Sequence, residues 1–413
     1  MDCTQNLSLG DPLEPVRKAT AQMLHERDHS FSLPQPFYND ERLFQVDMQE
    51  IFHKEWLIAG MTCEIPAKGN FLTLQIGDNP IIVIRGAEGQ IHAFHNVCRH
   101  RGSRLCVSEK GKVAKLVSDI EWAESAGLDT AWMPQVPNDF DCLTMVALMA
   151  AHTSRIELGT AVVPLQAQHP IALARQALSV HAVSAGRLAL GVGPSHHWIV
   201  RDMLGIPYEK PAAYTRDYLE VLNAALAGPG DVDVENDTFT VHNPTVLAAA
   251  QPLPVLVAAL GPVMLQIAGE HADGTVLWMA DEKAIGEHIA PKITKAAADA
   301  GRPAPRVVAG IPVCLCANSE IDAAKERANR ILAEAETSPN YQRLLDRGDA
   351  RNVGDLCAAG DEDAILARFK KFADAGVTDL SVRLLPIGET RDELVASKYR
   401  TREVIGELAK AVK

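Results

Sequence analysis

At 413 residues the chain can hold one barrel of about 250 residues plus an additional module. Its 47% hydrophobic and 23% charged content exclude disorder, collagen and coiled coil, and a formal net charge of -13 argues against a nucleic-acid or anionic-membrane surface. No apolar run reaches the roughly 18 residues of a membrane span, Met1–Pro15 lacks a signal-peptide core, and the eight cysteines contain no CxxC pair, so no membrane association and a cytoplasmic location are expected.

In chain order, Asn39–Trp56 reads as a helix carrying Leu43, Phe44, Val46, Met48, Ile51 and Phe52. Strand-like runs follow at Phe71–Ile76, Ile81–Ile84 and Ile91–Phe94, separated by Asp78-Asn79-Pro80 and by Gly86-Ala87-Glu88-Gly89. Short strands broken by such turns indicate a small antiparallel β module. Cys98-Arg99-His100-Arg101-Gly102 closes it.

From Ser118 the pattern changes to strands alternating with helices. Apolar runs fall at Leu128–Met133, Arg155–Val163, Arg187–Val192, Pro254–Leu260, Thr275–Met279, Arg306–Leu315 and Leu380–Leu385. Amphipathic stretches lie between most of them: Phe140–His152, Pro170–Ser184, Ala212–Leu226, Pro262–His271, Ala284–Ala300 and Asp363–Ala375. Gly186, Gly228, Gly301 and Gly376 sit at the C-caps of several helices. The alternation predicts an α/β protein with a parallel sheet. Seven strands are one short of a (β/α) barrel, and the absent one is the first. Residues 318–360 read as a helical excursion without a strand, and Lys112–Val117 leads into a helix over Asp119–Ser125 rather than supplying the missing strand. The expected domains are therefore 1–117 and 118–413.

Four segments of the second domain resemble the luciferase-like monooxygenase class, specifically its branch dependent on coenzyme F-420: Arg155–Pro170, Ser184–Ser195, Val257–Pro262 and Ala272–Thr275. The resemblance covers essentially all of 118–413 and implies a TIM barrel lacking its first strand, with ligands at the C-terminal ends of the strands. It implies that Thr160, Ala161 and Val162 form a bulge with a cis peptide against which a cofactor ring rests. Taken alone, this segment reads as an ordinary buried strand containing a glycine. Gly193 and Ser195 lie at the next strand end, where small residues let backbone approach a ligand, although a plain turn fits the same residues. Ala258, Ala259, Leu260 and Gly261 precede a helix opening on Pro262, a setting suited to phosphate. The implied cofactor is F-420, with FMN as the alternative. His196 is the candidate for handling a proton, since imidazole titrates near neutral pH. His169, His197, Trp198 and Trp278 are candidates for lining the pocket.

Residues 20–117 resemble the N-terminus of Rieske oxygenase large subunits through Phe37–Asp40, Phe52–Trp56 and the Cys98-x-His100-Arg101-Gly102 loop. A Rieske 2Fe-2S cluster needs two cysteines and two histidines. The resemblance places the second pair near Ser118-Asp119-Ile120-Glu121, which offers neither thiolate nor imidazole. Cys98 and His100 are thus half of a metal site, and the cluster is expected to be absent. Three functions stay open: a deazaflavin- or flavin-dependent oxidoreductase acting on a small organic substrate, possible as a homo-oligomer; a Rieske-fused flavin monooxygenase with electron transfer; and a non-catalytic chimera that at most binds cofactor.

Overall fold

The computed structural model describes residues 11–86, 88–96, 111–245, 247–249, 251–332 and 338–411, in two compact units, Met1–Ser118 and Asp119–Lys413. Cys98 and His100 lie outside the described residues.

The first unit holds an antiparallel sheet of β1 (Phe71–Ile76), β2 (Asn79–Arg85) and β3 (Ile91–His95). β1 and β2 meet across a two-residue turn in which Gly77 adopts φ +56°, the left-handed conformation that hairpin turns demand. Alternation buries Leu72 and Val83 beside Ile65 in a small core, while every residue of β3 is exposed. Trp56 and Ile58 are almost fully exposed, so this unit leaves much apolar surface uncovered. The expected helix at Asn39–Trp56 is shorter: Glu41–Asp47, capped by Asp40, continues into one wide turn over Met48–Phe52. A further helix at Glu14–Glu26 lies ahead of it.

The second unit is a nearly closed parallel barrel. Its strands are β4 (Thr130–Met133), β5 (Glu157–Thr160), β6 (Val163–Pro164), β7 (Leu188–Gly193), β10 (Val255–Val257), β11 (Gly274–Trp278), β12 (Arg306–Leu315), β13 (Ala358–Gly360) and β14 (Asp379–Leu384). The remaining strands, β8 (Gly230–Glu235) and β9 (Thr240–Thr245), form a separate hairpin. The ladder runs β4-β5-β7-β10-β11-β12, with β14 on the free edge of β12. β14 approaches β4 without sharing a ladder. This is the seam where a first strand belongs. The helix Gly111–Ser125 occupies the stretch that would have supplied that strand. One expectation is corrected: residues 318–360 do contain a strand, the short β13, which pairs with Val313–Leu315 of β12. Its three residues are two alanines and a glycine, whose weak β-propensity hides it.

Barrel packing follows from strand alternation. Leu188, Leu190 and Val192 of β7 alternate with Ala189, Gly191 and Gly193, and all six are buried because helices cover the sheet. Ala189, Leu256, Val276 and Val308 share one cluster. At the N-terminal end, Arg306 donates to Glu157 (2.8 Å) and Asp379 (2.6 Å), and its guanidinium lies over the Trp132 ring. Three strands are thereby joined across the lumen, including β14 at the seam.

Candidate functional site

The site is built where the strands end. Thr160, fully buried, closes β5; its hydroxyl accepts from the Gly191 amide (2.9 Å) and donates to the Gly191 carbonyl (2.7 Å). After it the chain bulges through a cis Ala161–Val162 peptide and rejoins β7 as β6. A Cβ on Gly191 would lie 1.9 Å from the Thr160 carbonyl oxygen. Only glycine permits this approach.

A Cβ on Gly193 would fall 2.9 Å from both Val162 Cγ2 and Ala258 Cβ. Three strand ends therefore converge on one point, and they are the ends singled out in the sequence. Ala258 donates to the Val192 carbonyl, and the Ala259 amide is held by Thr275 Oγ1. Gly261 is the N-cap of the helix Pro262–His271; no side chain caps this helix, and the space beside Gly261 is open. Its first-turn amides after Pro262 are thus free for a ligand. The Leu260 carbonyl accepts from His288 Nε2 (3.1 Å), while Arg347 donates to His288 Nδ1. That chain of donors fixes a neutral imidazole. Burial and the neighbouring Arg347 cation hold its pKa below the usual value.

Ser195 adopts φ +59° and Met279 φ +65°, a left-handed backbone uncommon outside glycine. Both stand just past strand ends, and the Ser195 carbonyl accepts from Tyr208 (3.1 Å). His196 stacks on Trp198 with ring centres 5.7 Å apart and packs against Tyr341 at 5.6 Å. Burial, then the adjacent His197, lowers its pKa. Burial raises Tyr341 to about 12, so that hydroxyl stays protonated. Trp278 packs with Tyr341 in a cluster containing Met279, Leu345 and Val353. His169 does not belong to this group: its Nδ1 caps the helix Pro170–Val183 and its ring meets Phe239.

Sequence reasoning missed Tyr341, which comes from the excursion between β12 and β13, and the anchor that holds that excursion. Asp281 accepts from the amides of Ala284, Asp349 and Ala350. An aspartate just past a strand end is the one available signal. The Arg306–Glu157–Asp379 group was also missed, because its members lie far apart in sequence.

The luciferase-like monooxygenase family model matches residues 94–379, more than half of the chain. The chain belongs to the luciferase-like monooxygenase family. A Rieske [2Fe-2S] domain model matches residues 55–119. The first 117 or so residues are similar to the glycine betaine monooxygenase oxygenase subunit of Pseudomonas aeruginosa (strain UCBPP-PA14), 87% identical over 117 residues. That match covers 28% of this chain and 27% of the relative, so the chain spans about a quarter of that protein's length. The remainder is similar to 5,10-methylenetetrahydromethanopterin reductase of Methanolobus tindarius, 26% identical over 320 residues, covering 71% of this chain and 96% of that one. The solved structure of coenzyme F-420 dependent tetrahydromethanopterin reductase from Methanopyrus kandleri superposes with a TM-score of 0.56 at 25% identity, covering 72% of this chain and 96% of that one. The chain thus joins a luciferase-like barrel to a Rieske-like N-terminal region.

Proposed function

We propose that the barrel is an oxidoreductase transferring hydride between a deazaflavin (coenzyme F-420) or flavin and a small organic substrate. The observation that carries this is the convergence of Val162, Gly193 and Ala258 at the strand ends, packed so closely that a Cβ on Gly193 would meet both neighbours at 2.9 Å. Thr160, Ala161, Val162, Gly193 and Ser195 would hold the ring of the cofactor. Ala258, Ala259, Leu260 and Gly261 would lead its phosphate tail to the free helix amides. When bound, the cofactor supplies the hydride chemistry, and the chain positions and polarises. His196, kept neutral near pH 7 by its surroundings, would accept or return the substrate proton. Tyr341 and Trp198 hold its ring in place and exclude water from one side.

Fluorescence titration with F-420 and with FMN tests the reading. The wild-type chain should bind one of them, and Gly261→Val, whose added Cβ meets nothing within 4 Å, should weaken that binding about tenfold or more while leaving the fold intact. Absence of binding to both, or equal binding by the variant, would overturn it. The F-420 alternative is supported by the reductase relatives, which cover nearly their full length.

The Rieske-like region does not fit a 2Fe-2S cluster. The positions expected to carry the second ligand pair, Ser118–Glu121, lie within the helix Gly111–Ser125 and bear no cysteine or histidine. No electron-transfer step is assigned to it. Iron–sulfide reconstitution followed by EPR should give no Rieske signal; a Rieske signal would favour the electron-transfer fusion instead.

A further inference from the structure

Strand β14 carries one charge that no described residue pairs. Asp379 points into the lumen, where it meets Arg306. Side chains two and four residues along a strand share its face, so Ser381 and Arg383 face the lumen as well. The pairing partners agree: Ser381 stands opposite Gly310, whose missing side chain makes room for Trp278 inside the barrel, and Arg383 stands opposite Pro312. Four residues past Asp379, Arg383 is about 13 Å higher along the strand, at the C-terminal mouth where the cradle lies. Arg306 is satisfied by two carboxylates. Among the described residues Arg383 has neither an ion pair nor a hydrogen bond. Its side chain remains reachable from solvent, yet desolvation by the surrounding protein lowers its pKa.

Because the Arg383 side chain is exposed, water solvates its guanidinium in the free protein, and an anion arriving at the mouth finds it paired with no described residue. Its planar fork matches the two oxygens of a carboxylate. β11 and β12 stand between β14 and β10 in the ladder, so Arg383 stands apart from the strand end proposed to lead the cofactor tail. The geometry points to Arg383 as the residue that selects a carboxylate-bearing substrate. This rests on the hydride-transfer reading for the location of the mouth, but not on which cofactor is used.

The test uses the full-length protein with acetate, succinate, benzoate and phenylacetate, each paired with its amide. Binding is read by saturation-transfer NMR and by protection of Arg383 from phenylglyoxal, mapped by mass spectrometry. At least one acid should bind, protect Arg383 and outcompete its amide. Arg383→Gln should weaken acid binding about tenfold or more and leave amide binding within about twofold, with Arg383→Lys intermediate because it loses the fork. Failure of every acid to protect Arg383, or equal binding of acids by wild type and Arg383→Gln, overturns the assignment. Titrating the same variants with F-420 and FMN separates the two claims: unchanged cofactor affinity alongside lost acid binding supports Arg383 as a substrate residue. An affinity for cofactor that falls as far as that for acids assigns Arg383 to the cofactor and overturns the inference. Acid binding that needs Arg383 in a protein that binds no cofactor would retain the anion site and remove the hydride-transfer reading.

Discussion

Replacing Thr160 by valine removes one hydroxyl and almost no volume. In the wild type that hydroxyl substitutes for the strand ladder where it is interrupted: β5 pairs with β7 at Leu158–Leu188 and Gly159–Ala189, and pairing resumes only at Val163–Val192. Between these points Thr160 Oγ1 satisfies both the amide and the carbonyl of buried Gly191. Valine leaves the amide without a partner, at a cost of about 1–3 kcal/mol for a buried unsatisfied group. In a barrel of this size about 2 kcal/mol corresponds to roughly 4–8 °C in Tm. Thr160→Ser keeps the hydroxyl and loses one methyl, about 1 kcal/mol. Thermal and urea melts of both variants read the difference. Because the same bond positions the bulge over Gly193, the valine variant should also lose cofactor affinity while the serine variant keeps most of it. A valine variant within about 0.5 kcal/mol of wild type, or a serine variant equally damaged, would refute this account of the bulge.

Arg306→Met should destabilise the barrel by about 3 kcal/mol, the lower end for breaking a buried pair, because a quarter of Arg306 remains exposed; urea midpoints measure it, and a loss under about 1 kcal/mol would mean the group is not a tie across the seam. Asp281→Ala should free the amides of Asp349 and Ala350, so hydrogen exchange should speed up locally at residues 348–351 before any change in global stability. Stability should also fall on acidification. His196 and His288 have folded pKa values below the unfolded 6.5, so below that pH the unfolded chain binds more protons than the folded one and is favoured. The effect is absent above about pH 7, where both states hold neutral imidazoles. A His196→Gln, His288→Gln double variant should therefore lose less stability than wild type between about pH 7 and pH 5.5; an identical slope would contradict the burial of these rings.

Much of the fold was legible from local pattern alone. The strand–helix alternation after Ser118 and the lost first strand both follow from periodicity, and periodicity is a property of neighbouring residues. The segments at Thr160–Val162, Gly193 and Ala258–Gly261 were singled out by their resemblance to the luciferase-like class; taken alone they read as an ordinary buried strand, a plain turn and a common helix start. Local pattern did not reveal β13, because Ala358-Ala359-Gly360 becomes a strand only by lying against Val313–Leu315. Nor did it reveal the role of Arg383: on its own it is one more cation after an apolar run. What gives it a place is the register between β12 and β14, which sets it about 13 Å along the strand from Asp379, beyond reach of the carboxylates that Arg306 holds. Chain order fixes which residues alternate along a strand. Closure of the barrel decides which of them meet across the lumen, since those encounters join residues separated by up to 149 positions.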